Sequence, residues 1–190
     1  MTSLKRRGFL GRLSVWLESA KRAFSQQPTR PKLVFLIRHG EKTGKKNDTH
    51  LNARGEERAN ALPGLFPAVF PAPDFIFATK ATANSNRPVE TVMPLAKALG
   101  LTVQAAFAND EALLLARELL ASGRYAGKTL LICWHKGKIP ALATALGVAG
   151  KLPEWTEQHY DRIWRLHYPP CGNVVFANLP QRLLPGDAEV

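Results

Sequence analysis

The sequence predicts an α/β fold: a mainly parallel sheet with helices on both faces and an antiparallel C-terminal hairpin. Three observations carry this expectation. Strand-like and helix-like patterns alternate from residue 32 onward, the rhythm of parallel strands joined by helical crossovers. KLVFLI (32–37) and KTLLICW (128–134) are continuous apolar runs, which suits strands buried on both faces. RIWRLHY (162–168) and NVVFANL (173–179) flank PPCG, a turn signal between two β-rich segments.

The remaining elements follow in order. NARGEERANAL (52–62) reads as a helix, and PGLFPAVFPAP (63–73) as a proline-spaced loop. DFIFAT (74–79) is strand-like, and PVETVMPLAKAL (88–99) is helical with Pro94 as a candidate kink. LTVQA (101–105) reads as a short strand. NDEALLLARELLAS (109–122) reads as a helix with Asn109 or Asp110 as N-cap. KIPALATALG (138–147) is a helix stopped by Gly147. Trp155, Trp164 and Tyr168 are expected in the packing, and Trp134 beneath the strand end.

Totals bound the alternatives. A chain of 190 residues with 45% hydrophobic and 22% charged content suits one globular domain. Two cysteines, Cys133 and Cys171, make no disulfide framework. The net charge of +11 is unevenly spread: residues 1–32 hold eight Lys or Arg against one acid, leaving 18 against 14 in the rest. The basicity is therefore mostly that of the N-terminal segment, and no nucleic-acid partner is expected. The division is residues 1–31 as a basic extension and 32–190 as a single domain.

In the extension, Phe9, Leu13, Trp16, Leu17, Ala20 and Phe24 recur as one helical stripe. A basic amphipathic helix over residues 5–24 suits peripheral contact with an anionic membrane, an organelle presequence, or packing on its own domain. KRRGFLG (5–11) is similar to a twin-arginine export signal, but Arg12, Glu18, Lys21 and Arg22 interrupt the apolar region such a signal needs. The expected location is cytoplasmic, with membrane-surface association or organelle targeting through this helix as alternatives. Oligomeric state is not read from the sequence.

In parallel α/β sheets ligands bind outside the carboxyl ends of the strands. Arg38 and His39 follow the first buried strand, His135 follows the second, and Arg87 lies beyond the loop after residues 74–79. Two guanidiniums and two imidazoles with few acids suit a dianionic oxyanion, since arginine pairs bidentately with phosphate and stays charged. A histidine among cations is held neutral, the state a nucleophile needs. Gly40 lets the backbone turn and approach closely. No metal-ligand spacing is present: His50, His159 and His167 are not paired with one another or with cysteines.

RHG ending the first strand, then LNARGEERANAL, NRPVET and LLICWH, resemble in content and order the histidine phosphatase (phosphoglycerate mutase-like) superfamily, and in particular a small phosphatase-type member, over roughly residues 32–147. The resemblance implies that fold, no cofactor or metal, and a phosphomonoester hydrolase. It implies His39 as a nucleophile that becomes phosphohistidine, Arg38 and Arg87 (with Thr91 in the same block) as the phosphate clamp, and His135 completing the pocket. Asp110 and Glu111 are the candidate proton donors, with an N-cap role for Asp110 the plain alternative. Glu41 is a second candidate, read rather as a structural acceptor. The chain departs from the pattern at HKGK, where Lys136 precedes the glycine. Lys136 and Lys138 either extend the positive field or belong to a solvated loop. The expected substrate is a phosphorylated small molecule or a phosphoprotein. Two other functions fit: a mutase-type phosphotransferase, or a non-catalytic phospho-ligand or membrane-surface module. A mutase calls for a cap, and the 47 residues between Arg87 and His135 are mostly assigned to helices and strands.

Overall fold

In the computed structural model, which describes residues 30–45 and 47–189, the two apolar runs lie side by side at the centre of the sheet. Strand β1 (Leu33–Arg38) and strand β4 (Thr129–Trp134) pair in parallel, with Leu33 opposite Thr129 and Arg38 opposite Trp134. All twelve of these residues are buried. This explains the lack of alternation, because neither face of either strand meets water.

Strand β2 (Phe75–Ala78) pairs in parallel with β4, and the short β3 (Val103–Gln104) in parallel with β2. Strand β5 (Arg162–His167) pairs antiparallel with β1 and with β6 (Val175–Pro180), so the C-terminal hairpin extends the sheet. The order is β3-β2-β4-β1-β5-β6. The expected fold class is what the structure shows.

Four helices cover the two faces. Helix α1 (Ala53–Ala61) starts at Asn52, whose side-chain oxygen accepts the Gly55 N–H at 2.8 Å. Helix α2 (Arg87–Leu99) begins with Pro88 in its first turn and ends at Gly100, which adopts φ 66°. Pro94 lies inside α2 without ending it. On that face Val92, Leu95 and Ala96 pack on Phe35, Ile37, Ile76 and Cys133. Helices α3 (Ala112–Ala121) and α4 (Ile139–Ala145) cover the other face, where Leu115, Leu119, Leu142 and Ala143 meet Val34, Leu36, Ile132 and Trp134. Trp155, Trp164 and Tyr168 belong to the same core.

Three details differ from the sequence expectation. The loop at 63–73 is part of the core: Leu65, Phe66 and Phe70 are buried, and Phe66 and Phe70 lie 5.7 and 5.2 Å from the Phe35 ring. The helix expected over 109–122 begins as a 3-10 turn, Asn109–Glu111, and turns α-helical at Ala112. Neither Asn109 nor Asp110 caps it; instead the Glu111 carboxylate reaches back to accept the Ala108 N–H at 2.8 Å. Residues 1–29 of the N-terminal extension, with the helix expected over 5–24, lie outside the described residues. Among the described residues no helix is long and apolar enough to cross a membrane.

The first turn of α1 presses on the backbone that leaves β1. A Cβ on Gly55 would lie 2.4 Å from the Glu41 carbonyl oxygen and 2.8 Å from its nitrogen, and one on Gly40 2.9 Å from the Gly55 oxygen. The Asn52 N–H donates to that same Glu41 oxygen at 2.9 Å. Glycine here serves close approach, so Gly55→Ala is expected to destabilise by about 1–3 kcal/mol, although alanine is the better helix former. Urea unfolding checks this, and a stabilised variant would contradict the contact.

Candidate active site

The parallel pairing of β1 and β4 continues one residue past the strands, with the His39 N–H donating to the Trp134 carbonyl at 3.2 Å. His39 and His135 therefore leave the same sheet edge together, their rings 5.1 Å apart and inclined by 67°. The Gly40 N–H then donates to Thr91 Oγ1 at 2.9 Å, and Thr91 Oγ1 donates to the Arg87 carbonyl at 2.8 Å. One hydroxyl thus joins the turn after β1 to the helix that starts with Arg87.

His39 is buried, and its Nδ1 lies 2.7 Å from the Gly40 carbonyl oxygen. A carbonyl only accepts, so Nδ1 carries the proton and donates, and Nε2 holds the lone pair. Burial pushes the His39 pKa down to about 3, with the charges of His135, Arg38 and Arg87 acting the same way against the Gly40 bond. His135 is pushed down to about 4 by burial and then by Arg87 and Arg38. Both imidazoles are neutral near pH 7.

The arginines are held alike. Arg38 Nη1 donates to the carbonyls of Thr156, Glu157 and His159 at 3.2, 2.8 and 3.2 Å. Arg87 Nη1 donates to the Asp48 carbonyl at 2.8 Å. In both, Nε is buried without a hydrogen-bond partner among the described residues. Burial is the largest influence on Arg38 and lowers its pKa, partly offset by Tyr160 and Glu157; a guanidinium nonetheless keeps its charge. These are donors anchored by neutral acceptors, with donor capacity left for an oxyanion.

Glu41 is engaged elsewhere. Arg58 Nε donates to both its oxygens at 3.1 Å and Nη2 to Oε1 at 2.8 Å, while the same guanidinium takes Asp187 at 2.8 Å through each Nη. Its role as a structural acceptor agrees with the reading above. Trp134 Nε1 donates to the Asn109 carbonyl at 3.1 Å, which brings the Asn109–Glu111 turn to the end of β4. Asp110 is exposed there, and Glu111 is committed through one oxygen to Ala108. Lys138 is exposed, whereas Lys136 pairs with Glu157 at 2.8 Å. Among the described residues no cluster of three or more His, Cys, Asp or Glu side chains is placed to hold a metal ion.

Sequence reasoning missed Glu157 and Tyr160. The Tyr160 ring lies 3.7 Å from Arg38 Cζ and 6.2 Å from the His39 ring. They sit in the irregular segment after α4, which has no hydrophobic period to single it out.

Two arginines and two neutral histidines thus meet at the carboxyl edge of a parallel sheet in an α/β fold, an arrangement chemically suited to an oxyanion. Residues 34–111 match the model of the histidine phosphatase superfamily, branch 1, the family that the sequence blocks resemble. The match runs from β1 through Arg38, His39, Arg87 and Thr91 to the Asn109–Glu111 turn; His135 lies beyond it. Among solved structures, the chain is similar to the protein histidine phosphatase SixA complexed with tungstate, at TM-score 0.63 and 15% identity, over 78% of this chain and 97% of that one. It is also similar to the mycobacterial glucosyl-3-phosphoglycerate phosphatase in complex with inorganic phosphate, at TM-score 0.55 and 16% identity, over 77% and 95%. At these identities the likeness is one of fold. Comparison with curated proteins gives no match.

Buried His39 and half-buried His135 also set a pH dependence of stability. Unfolded, each titrates near 6.5, and folded near about 3 and about 4, so the unfolded chain binds more protons throughout that window. Stability then rises with pH between about 4 and 6.5, and is lost as pH falls through it, by up to about 1.4 kcal/mol per pH unit for each histidine. Urea midpoints at pH 7.0 and 4.5 should converge in a His39→Gln/His135→Gln protein relative to wild type; an unchanged difference would contradict the shifts.

Proposed function

We propose that the chain is a phosphomonoester hydrolase that works through a phosphohistidine on His39. The observation that carries this reading is the Nδ1 donation to the Gly40 carbonyl at 2.7 Å, which leaves Nε2 as a fixed lone pair beside His135, Arg38 and Arg87. Nε2 attacks phosphorus, the bond to the ester oxygen breaks, and that oxygen leaves with a proton from a general acid. Water then gives a proton to the conjugate base of that acid and attacks phosphorus, the P–N bond breaks, and inorganic phosphate leaves with the Nε2 lone pair and the acid both restored. Arg38 and Arg87 bind the non-bridging oxygens through the donors not used in anchoring, and His135 stabilises charge on the transferring group.

The substrate is a phosphorylated small molecule or a phosphoprotein. The two structural neighbours stand for these classes, one a protein histidine phosphatase and the other acting on glucosyl-3-phosphoglycerate. Hydrolysis of an aryl phosphate beside His39→Ala tests the reaction. Wild-type turnover with an acid-labile phosphoryl adduct, both lost in the variant, is the expected result. Equal rates in the two proteins would refute the assignment, and transfer of phosphate between hydroxyls in place of release would favour a mutase.

The proton comes from the Asn109–Glu111 turn. Asp110 is the freer of its two acids, because among the described residues Glu111 is engaged in capping and Asp110 is exposed without such a bond. Asp110→Asn is expected to slow an alkyl phosphate by about 10²–10⁴ and an activated aryl phosphate far less, since a good leaving group departs without a proton. Glu111→Gln losing more than Asp110→Asn would transfer the role to Glu111.

A further inference from the structure

Arg38 ends β1, yet a segment far along the chain decides how its guanidinium is presented. Trp155–Tyr160 forms neither helix nor strand. Trp155 anchors it: the indole is buried against Trp164 with ring centroids 4.9 Å apart, and Nε1 donates to the His159 carbonyl at 2.7 Å. From there three carbonyls of the segment converge on Arg38 Nη1. The Tyr160 ring lies against the guanidinium, 3.7 Å from Cζ to the centroid. Carbonyls fix one edge of the planar group and the aromatic face fixes its plane.

The opposite edge carries the remaining donors. In arginine the Nε–H and one Nη2–H point the same way, a fork that matches two oxygens of a phosphoryl group. Here Nε is buried and unpartnered among the described residues. Among the described residues Nη2 meets only Glu157 Oε2, at 3.5 Å, the long limit of a hydrogen bond. Glu157 is exposed, and its other oxygen takes Lys136 at 2.8 Å. A carboxylate so placed is an internal competitor for an incoming oxyanion, and a weakly held one.

We propose that Trp155–Tyr160 is a strap that turns the Nε/Nη2 edge of Arg38 toward the phosphoryl oxygens, with Tyr160 as a positioning residue and Glu157 occupying that edge until an oxyanion displaces it. The inference rests on the phosphatase reading for turnover, but not for oxyanion binding. Displacing Glu157 also releases Lys136, so binding adds two cations to the mouth of the site.

Calorimetric titration of the full chain with inorganic phosphate tests this, beside KM and kcat for an aryl phosphate. Tyr160→Ala should raise both the phosphate Kd and KM by roughly three- to tenfold, with kcat within about twofold, the size of a partly desolvated cation–π contact. Tyr160→Phe, which keeps the ring face, should restore wild-type values. Glu157→Gln should shift Kd and KM the opposite way, most at low ionic strength, a tightening that damage to the fold would not produce. Unchanged phosphate affinity in Tyr160→Ala, or Tyr160→Phe as weak as Tyr160→Ala, overturns the strap. Unchanged affinity in Glu157→Gln overturns the competition. A wild-type protein that binds phosphate without turning over the ester refutes the enzymatic reading alone, and the same binding comparisons still decide the strap.

Discussion

The parallel pairing of β1 with β4 is the constraint on which the candidate site depends. Its register sets Arg38 opposite Trp134 and is carried one step further by the bond from the His39 N–H to the Trp134 carbonyl. Because side chains alternate along a strand, a slip of one residue would send His39 and His135 to different faces. In the observed register Phe35, Ile37, Leu131 and Cys133 share one core and Val34, Leu36, Leu130 and Ile132 the other. Core packing and site geometry are here the same fact. The histidines stand 5.1 Å apart because this register brings the two strand ends level.

What distinguishes the site from the rest of the molecule is how its charges are paired. Arg58 is as buried as Arg38, yet two carboxylates neutralise it, and its pKa is raised by Asp187 and Glu41 against burial. Arg38 and Arg87 are anchored instead on main-chain carbonyls. A carbonyl satisfies a donor without cancelling the charge, so the field of the cation reaches the space in front of His39. Among the described residues, the carboxylate in direct contact with Arg38 is Glu157, which is mostly solvent-exposed. The same field, with burial, holds both imidazoles neutral. In the phosphatase reading proposed above, anchoring by neutral groups would serve phosphate affinity and nucleophile readiness together.

Much of this arrangement is visible in the sequence, for a definite reason. Elements with a continuous apolar run, such as KLVFLI, or a helical hydrophobic period, such as PVETVMPLAKAL, announce themselves because burial imposes the pattern. Arg38, His39, Arg87 and His135 are found by their places just beyond such patterns. The misreadings fall where local chemistry competes. At 109–111 a Glu111 side chain, three residues past the cap it serves, replaces the expected Asn or Asp. At 63–73 prolines suggest a surface loop, while Phe66 and Phe70 fill a gap against Phe35 that only tertiary packing creates. The strap at 155–160 binds Arg38 mainly through carbonyls, and main-chain acceptors are common to every sequence. Its contribution belongs to the fold alone.

The uncompensated cations impose a cost that the surrounding structure must offset. Buried donors without partners, such as Nε of Arg38 and Arg87, destabilise the folded chain, and so do histidines that cannot protonate below their ordinary pKa. The compensation lies directly behind the site. Glu41 is the residue after Gly40, and through Arg58 it is tied to Asp187, which also accepts the N–H groups of Leu183 and Leu184. The C-terminal segment is thereby fastened to α1, and α1 to the turn that carries His39. A buried ion pair adds little stability compared with apolar packing, but it has a direction and a length that apolar packing lacks. Here it holds the RHG backbone from behind while the arginines in front remain charged, so the glutamate that looks catalytic in sequence contributes by geometry.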